Sequence, residues 1–137
     1  MASFTLLNCR VEINSVDMSG FCTSATLSIE VADEEDTAFG DAYRSRVAGL
    51  KDFTVDLNFN SDFAASAVDQ TIWPLLGTAT TIKLRPTASA ISATNPEYSG
   101  SVLVTEYSPL DGDVGDLATT SVSWPCAVGT GLARATS

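Results

Sequence analysis

Residues 52–60 alternate strictly between apolar and polar side chains, a period of two that only an extended strand with one covered and one wet face satisfies. Phe53, Val55, Leu57 and Phe59 fall on one side; Asp52, Thr54, Asp56, Asn58 and Asn60 fall on the other. Residues 25–31 repeat the pattern, with Ala25, Leu27, Ile29 and Val31 opposed to Thr26, Ser28 and Glu30. Two such segments predict a half-buried antiparallel sheet with one polar face.

Shorter signals fill in the rest. Val11 and Ile13 alternate with Arg10, Glu12 and Asn14, and turn-forming residues occupy 15–20. Further strands are expected over 80–84, 100–107 and 119–124, separated by a small-residue stretch at 85–96 and an Asp111-Gly112-Asp113 turn. One helix is expected over about 62–74. Ser61 or Asp62 can cap it, Ala64, Ala65, Val68, Ile72 and Leu75 recur at helical spacing, and Pro74 ends it. The expected fold is mainly β: an antiparallel β-sandwich or partly closed barrel with that one flanking α-helix and a long inter-strand loop. At 137 residues the chain is expected to be one domain over 1–137, with an N-terminal arm at 1–8, the loop at 32–51 and a flexible C-terminal tail at 129–137.

Composition excludes whole classes of activity. Seventeen acidic residues against seven basic ones give a formal charge of −10, and there is no histidine. Phosphate backbones are bound by lysine and arginine with release of counterions, so sequence-specific nucleic-acid binding is not expected. Without histidine, Ser-His-Asp and Cys-His catalytic sites cannot be built. The many carboxylates leave glycosidase chemistry open by composition, but a small sandwich with small loops offers little cleft, and no enzyme activity is expected. Cys9, Cys22 and Cys126 form no close pair and read as small buried thiols in a reducing cytoplasm. The run Asp111-Gly112-Asp113-Val114-Gly115-Asp116 carries three carboxylates but lacks the spacing of a calcium loop, and reads as a solvated turn. No catalytic, cofactor-binding or metal-binding residues are therefore assigned. No apolar run approaches the ~18 residues of a membrane span, and the first ten residues lack a basic leader, so neither membrane insertion nor secretion is expected.

The segment between the two alternating strands is longer than the usual connection of about half a dozen residues. It reads Asp36-Thr37-Ala38-Phe39-Gly40-Asp41-Ala42-Tyr43-Arg44-Ser45-Arg46-Val47-Ala48-Gly49-Leu50-Lys51-Asp52. Its Thr-x-Phe-Gly-Asp start and Gly-Leu-Lys-Asp end resemble the ring-stacking loop of major tail tube proteins from long-tailed, siphophage-type bacteriophages, in particular those of actinobacteriophages. Residues 11–19 are similar to the strand and Asn-Gly-Val-Asp-Leu-Ser opening of that family, with Ser15 and Met18 in place of the commoner glycine and leucine. Tyr98-Ser99-Gly100-Ser101-Val102-Leu103-Val104 and residues 115–125 extend the resemblance over most of the chain.

The resemblance implies a structural virion protein whose hexameric rings stack into a hollow tail tube that conducts DNA into the host. It implies self-assembly, with a tape-measure protein, a tail terminator and distal tail proteins as partners, and assembly in the host cytoplasm. On this reading Glu30, Asp52, Asp56 and Asn58, joined by Glu106 from the 100–107 strand, line an acidic channel that offers passing DNA no favourable phosphate contact. Phe39, Asp41, Tyr43, Arg44 and Arg46 would make the contact between rings, the aromatics as apolar anchors and the arginines against acidic groups of the next ring. Two other classes fit the same β-rich pattern: another phage structural module (connector, terminator or decoration protein), and a carbohydrate-binding or adhesive sandwich. The last is expected to show a secretion signal and an exposed aromatic platform, whereas Trp73 and Trp124 fall within apolar patterns.

Overall fold

The computed structural model describes residues 3–127 and 131–137. Among the described residues, eight strands form two antiparallel sheets, with one short helix after the fourth strand. β1 (Arg10–Ile13), β2 (Val16–Asp17), β5 (Ala79–Arg85), β6 (Glu97–Leu103) and β8 (Ala133–Ala135) form the larger sheet, ordered β2-β1-β5-β6-β8. β3 (Cys22–Glu35), β4 (Arg46–Asn60) and β7 (Thr119–Pro125) form the smaller, ordered β3-β4-β7. The antiparallel sandwich expected from the alternating segments is the fold observed.

The alternation builds the core directly. Phe53, Val55, Leu57 and Phe59 of β4, with Val122 and Trp124 of β7, face Val11, Ile13, Ile82, Leu84 and Val102 of the opposite sheet. Each such side chain taken out of water contributes about 1.5–3 kcal/mol, so this layer dominates stability. The chain leaving β7 closes one side of the sandwich. The Cys126 N–H donates to the Phe53 carbonyl of one sheet (3.0 Å), and the Ala127 N–H donates to the Ser101 carbonyl of the other (3.0 Å). Cys9, Cys22 and Cys126 are free thiols, but half-buried instead of buried as expected.

Several boundaries differ from expectation, each for a local reason. The turn after β1 is the two-residue Asn14-Ser15, both at positive φ (51° and 66°), a geometry that matches the twist of a tight hairpin. The helix expected over 62–74 is only α1 (Val68–Ile72), continued by a single 3-10 turn over Trp73–Leu75. Ser66 at φ 62° breaks the earlier part. Asp62 instead holds the preceding turn, accepting from the Ala64 N–H at 2.9 Å through its carboxylate. Ala64 and Ala65 are consequently exposed, and Trp73 lies on the surface, whereas Trp124 is buried as its pattern suggested.

The long loop of 32–51 is mostly strand: β3 and β4 continue into it, leaving Asp36 to Ser45 as the connection. The strand expected over 100–107 starts at Glu97 and ends at Leu103. The segment expected as a flexible tail contains β8, paired with β6 through Glu97–Ala135, Tyr98–Arg134 and Ser99–Ala133; Gly129 and Thr130 of that segment lie outside the described residues. Of the expected N-terminal arm, residues 3–8 precede β1 without helix or strand, and Met1 and Ala2 lie outside the described residues.

Candidate assembly surfaces

The register of the smaller sheet sets out its outer face residue by residue. Ser24, Asn58 and Ser121 form one row; Thr26, Asp56 and Ser123 form the next; Ser28, Thr54 and Pro125 form a third; Glu30 stands opposite Asp52. Among these residues there is no lysine or arginine. Like charges directly across a strand pair are destabilising, so the Glu30–Asp52 pair is an arrangement that packing alone does not favour. The Asp52 carboxylate also accepts from the Phe53 N–H at 2.8 Å, and the side chains of Asn58 and Ser121 are hydrogen-bonded across the β4–β7 pair. Four of the five residues expected on a polar lining, Glu30, Asp52, Asp56 and Asn58, therefore share this face.

Glu106 does not stand in a strand. Its carboxylate accepts the Ser123 N–H at 2.7 Å and its carbonyl accepts the Trp124 indole N–H at 3.0 Å. It covers an unpaired backbone donor on the outer edge of β7, beside the polar face. Free edge donors invite strand addition, and an inward charge is one way to block it.

Four of the seven cations lie on the larger sheet. Arg10 is 2.7 Å from Glu12 and 3.2 Å from Asp17, and Arg85 is 3.6 Å from Glu97. Hydrogen bonding to Glu12 raises the Arg10 pKa, and bonds from Ser19 hold the Asp17 carboxyl below the usual carboxylate range. Lys83 stands opposite Glu12, and Arg134 opposite Tyr98. Paired ions thus mark the larger sheet, whereas the outer face of the smaller sheet's body, from Glu30 and Asp52 to Asn58, carries carboxylates without a cation; the cations of β4, Arg46 and Lys51, lie at its arm end.

Beyond Asp52 the β3–β4 pair leaves the body of the protein as a two-stranded arm whose residues are all exposed. At the break in register between Val31 and Asp33, Gly49 and Leu50 oppose Ala32, inserting one extra residue in β4. A Cβ at Gly49 would sit 3.3 Å from the Ala32 carbonyl oxygen and 3.4 Å from its Cβ, a close approach that suits glycine. At the tip, Asp36 N–H donates to the Ser45 carbonyl (2.9 Å), Thr37 Oγ1 accepts from Ser45 N–H (2.8 Å), and the Asp41 carboxylate accepts from Ala38 N–H (2.8 Å). Asp41 is therefore a turn former. Arg44 lies 3.8 Å from Glu35 and Arg46 3.3 Å from Asp33, exposed pairs of a kind worth about 0–1 kcal/mol. Phe39 and Tyr43 touch nothing that shields them: Phe39 is fully exposed and Tyr43 is 88% exposed. They do not fold back onto the core.

Sequence reasoning named these five tip residues but missed the apolar surface elsewhere. Ile29 and Val31 of the edge strand β3, and Leu50 of β4, are exposed where the β3–β4 pair runs out from the body. Leu27 and Ile29 line an open groove of about 420 Å³ with Leu84, Tyr98 and the N-terminal Phe4 and Leu6. Leu110, Val114 and Leu117, in the turn-rich loop after β6, are also exposed. Their apolar character inside an Asp-Gly turn was the available signal.

No family model and no curated protein matches the chain. Solved structures do. A chain of the virion of a native gene transfer agent particle superposes with a TM-score of 0.75 at 10% identity, covering 93% of this chain and 95% of that one. A chain of the tail of an empty gene transfer agent particle, with C6 symmetry, gives 0.68 at 12% identity, covering 84% and 82%. A chain of the six-fold symmetrised baseplate of the anti-feeding prophage gives 0.52 at 8% identity, covering 98% and 97%. At these identities what is shared is the fold.

Proposed function

We propose that this chain is a structural subunit of a phage-type tail and, within that class, the tube protein: six copies close into a ring, rings stack through the arm, and the polar sheet faces line a channel for DNA. The observation that carries the reading is the joint presence of an end-to-end fold match to a gene transfer agent virion chain and an exposed arm bearing unshielded Phe39 and Tyr43. A monomer gains nothing from an arm with no core of its own; exposed aromatic anchors of this kind mark association surfaces.

The chemistry of the smaller sheet supports the channel. A lining of Glu30, Asp52, Asp56, Asn58, serines and threonines presents acceptors and hydroxyls but no cation to a sliding phosphate backbone. Each ring of six would carry six times the −10 of one chain. Ring closure joins neighbouring sheets and removes their free edges, while a head-to-tail axial contact does not close and yields a filament. Such a protein would work in the virion after assembly in the host cytoplasm, with length-setting, terminating and distal tail proteins as partners.

Negative-stain microscopy of the purified chain at rising concentration tests the reading. Hollow tubes of stacked rings are expected. A chain that stays monomeric at all concentrations and is missing from tails overturns it; single rings that never stack point to a connector or terminator.

A further inference from the structure

The arm has a counterpart at the other end of the same strand. β4 runs from Arg46 in the arm to Asn60, where it pairs with Thr119 at the start of β7. Immediately beyond, Ser61 N–H donates to the Ala118 carbonyl (3.0 Å), and Thr120 Oγ1 donates to the Ser108 carbonyl. These bonds fix two segments at this pole, the chain after β4 and the loop of 109–118. Both expose large apolar side chains: Phe63, Leu110, Val114 and Leu117, with Val114 fully exposed and Leu110 84% exposed.

Fifteen residues of β4 separate the two patches, on the order of 50 Å of extended chain at ~3.3 Å per residue. The arm of one copy therefore cannot reach its own distal pole, whereas every second copy offers that pole. Charge points the same way. Arg44 and Arg46 follow Tyr43 and make only weak, exposed pairs, while Asp111, Asp113 and Asp116 are interspersed with the distal leucines and valine without an ion pair among the described residues.

We infer that the receiving surface for the arm is the distal pole of a second copy, Phe39 and Tyr43 packing on Phe63, Leu110, Val114 and Leu117, with Arg44 and Arg46 exchanging their own carboxylates for the aspartates of the 111–116 turn. This rests on the tail reading and adds to it the surface on which the arm lands. Because donor and acceptor patches differ and sit at opposite ends, the contact is heterologous and fixes one direction along the filament.

Two double variants test it: Phe39→Asp with Tyr43→Asp (arm), and Leu110→Asp with Leu117→Asp (pole). All four positions are exposed, so far-UV circular dichroism and Tm should match the parent; Leu110→Ser with Leu117→Ser is the milder replacement if the aspartates alter either. Each variant alone should raise the concentration needed for tubes by about 100-fold, as loss of two anchors implies. The particles each forms alone, prepared separately and then mixed in equal amounts, should double in mass by light scattering, because one intact arm then meets one intact pole and the stack stops there. A pole variant that forms tubes like the parent, or a mixture that gains no mass, overturns the inference while leaving the tail reading intact. A parent chain that never forms tubes overturns the inference and the tube reading together.

Discussion

The Tyr107 hydroxyl donates to the Asp69 carboxylate at 2.9 Å and ties the segment after β6 to α1. Burial of the phenol, then the bond and charge of Asp69, raise its pKa well above the ordinary phenol range. A raised pKa means the folded state favours the protonated ring, so the stabilisation is full below about pH 10 and is lost as pH rises through the folded value. Tyr107→Phe should cost about 1 kcal/mol in urea unfolding at neutral pH, and should remove that alkaline loss. A second position is set by space. A Cβ on Gly100 would lie 3.0 Å from Phe53 Cζ and 3.2 Å from the Gly131 carbonyl. Gly100→Val should lower stability by about 1–3 kcal/mol, read in the same assay. Neither contact was legible in the sequence, since both join residues distant along the chain through packing that no local period encodes. The inward set Phe53, Val55, Leu57 and Phe59 was legible, because a strand leaves only two faces to choose between.

At the scale of elements, the arm is the informative case. Asp33, Glu34 and Glu35 fall within the loop expected at 32–51, yet they continue β3 opposite Ala48, Val47 and Arg46. Alternation is a sign of one covered face, so a strand wet on both sides carries no such sign, and the sequence of the arm reads as a loop. The same blindness shortened α1: helical spacing at 64–75 could not report that Ser66 takes a positive φ. The arm adds no side chain to the core. Replacing residues 33–48 by a two-residue Asn-Gly hairpin turn should therefore leave Tm within a few degrees of the parent, while abolishing tube formation under the microscope. A large drop in Tm would mean that the arm is part of the folding unit, contrary to its exposure.

For the molecule as a whole, the cation-free outer face of the smaller sheet's body is the property with the widest consequence. Total charge was legible at once; its placement depended on register, which the two alternating segments specified for Glu30, Asp52, Asp56 and Asn58 but not for Glu106. Replacing Glu30 and Asp56 by lysine puts cations on a face that has none. Tubes should still assemble, and genome release from particles built with the variant should slow several-fold, more so at low ionic strength where phosphate contacts strengthen. Unchanged release kinetics would put these side chains on an outer wall instead.

In each copy, a single continuous strand, β4, joins the arm tip to the far pole. A pull along a filament of such copies would be borne within each unit by peptide bonds and two flanking ladders of hydrogen bonds, and between units only by side chains in apposition. Under load, or in mild denaturant, the filament should come apart at its seams into intact pieces well before any piece unravels.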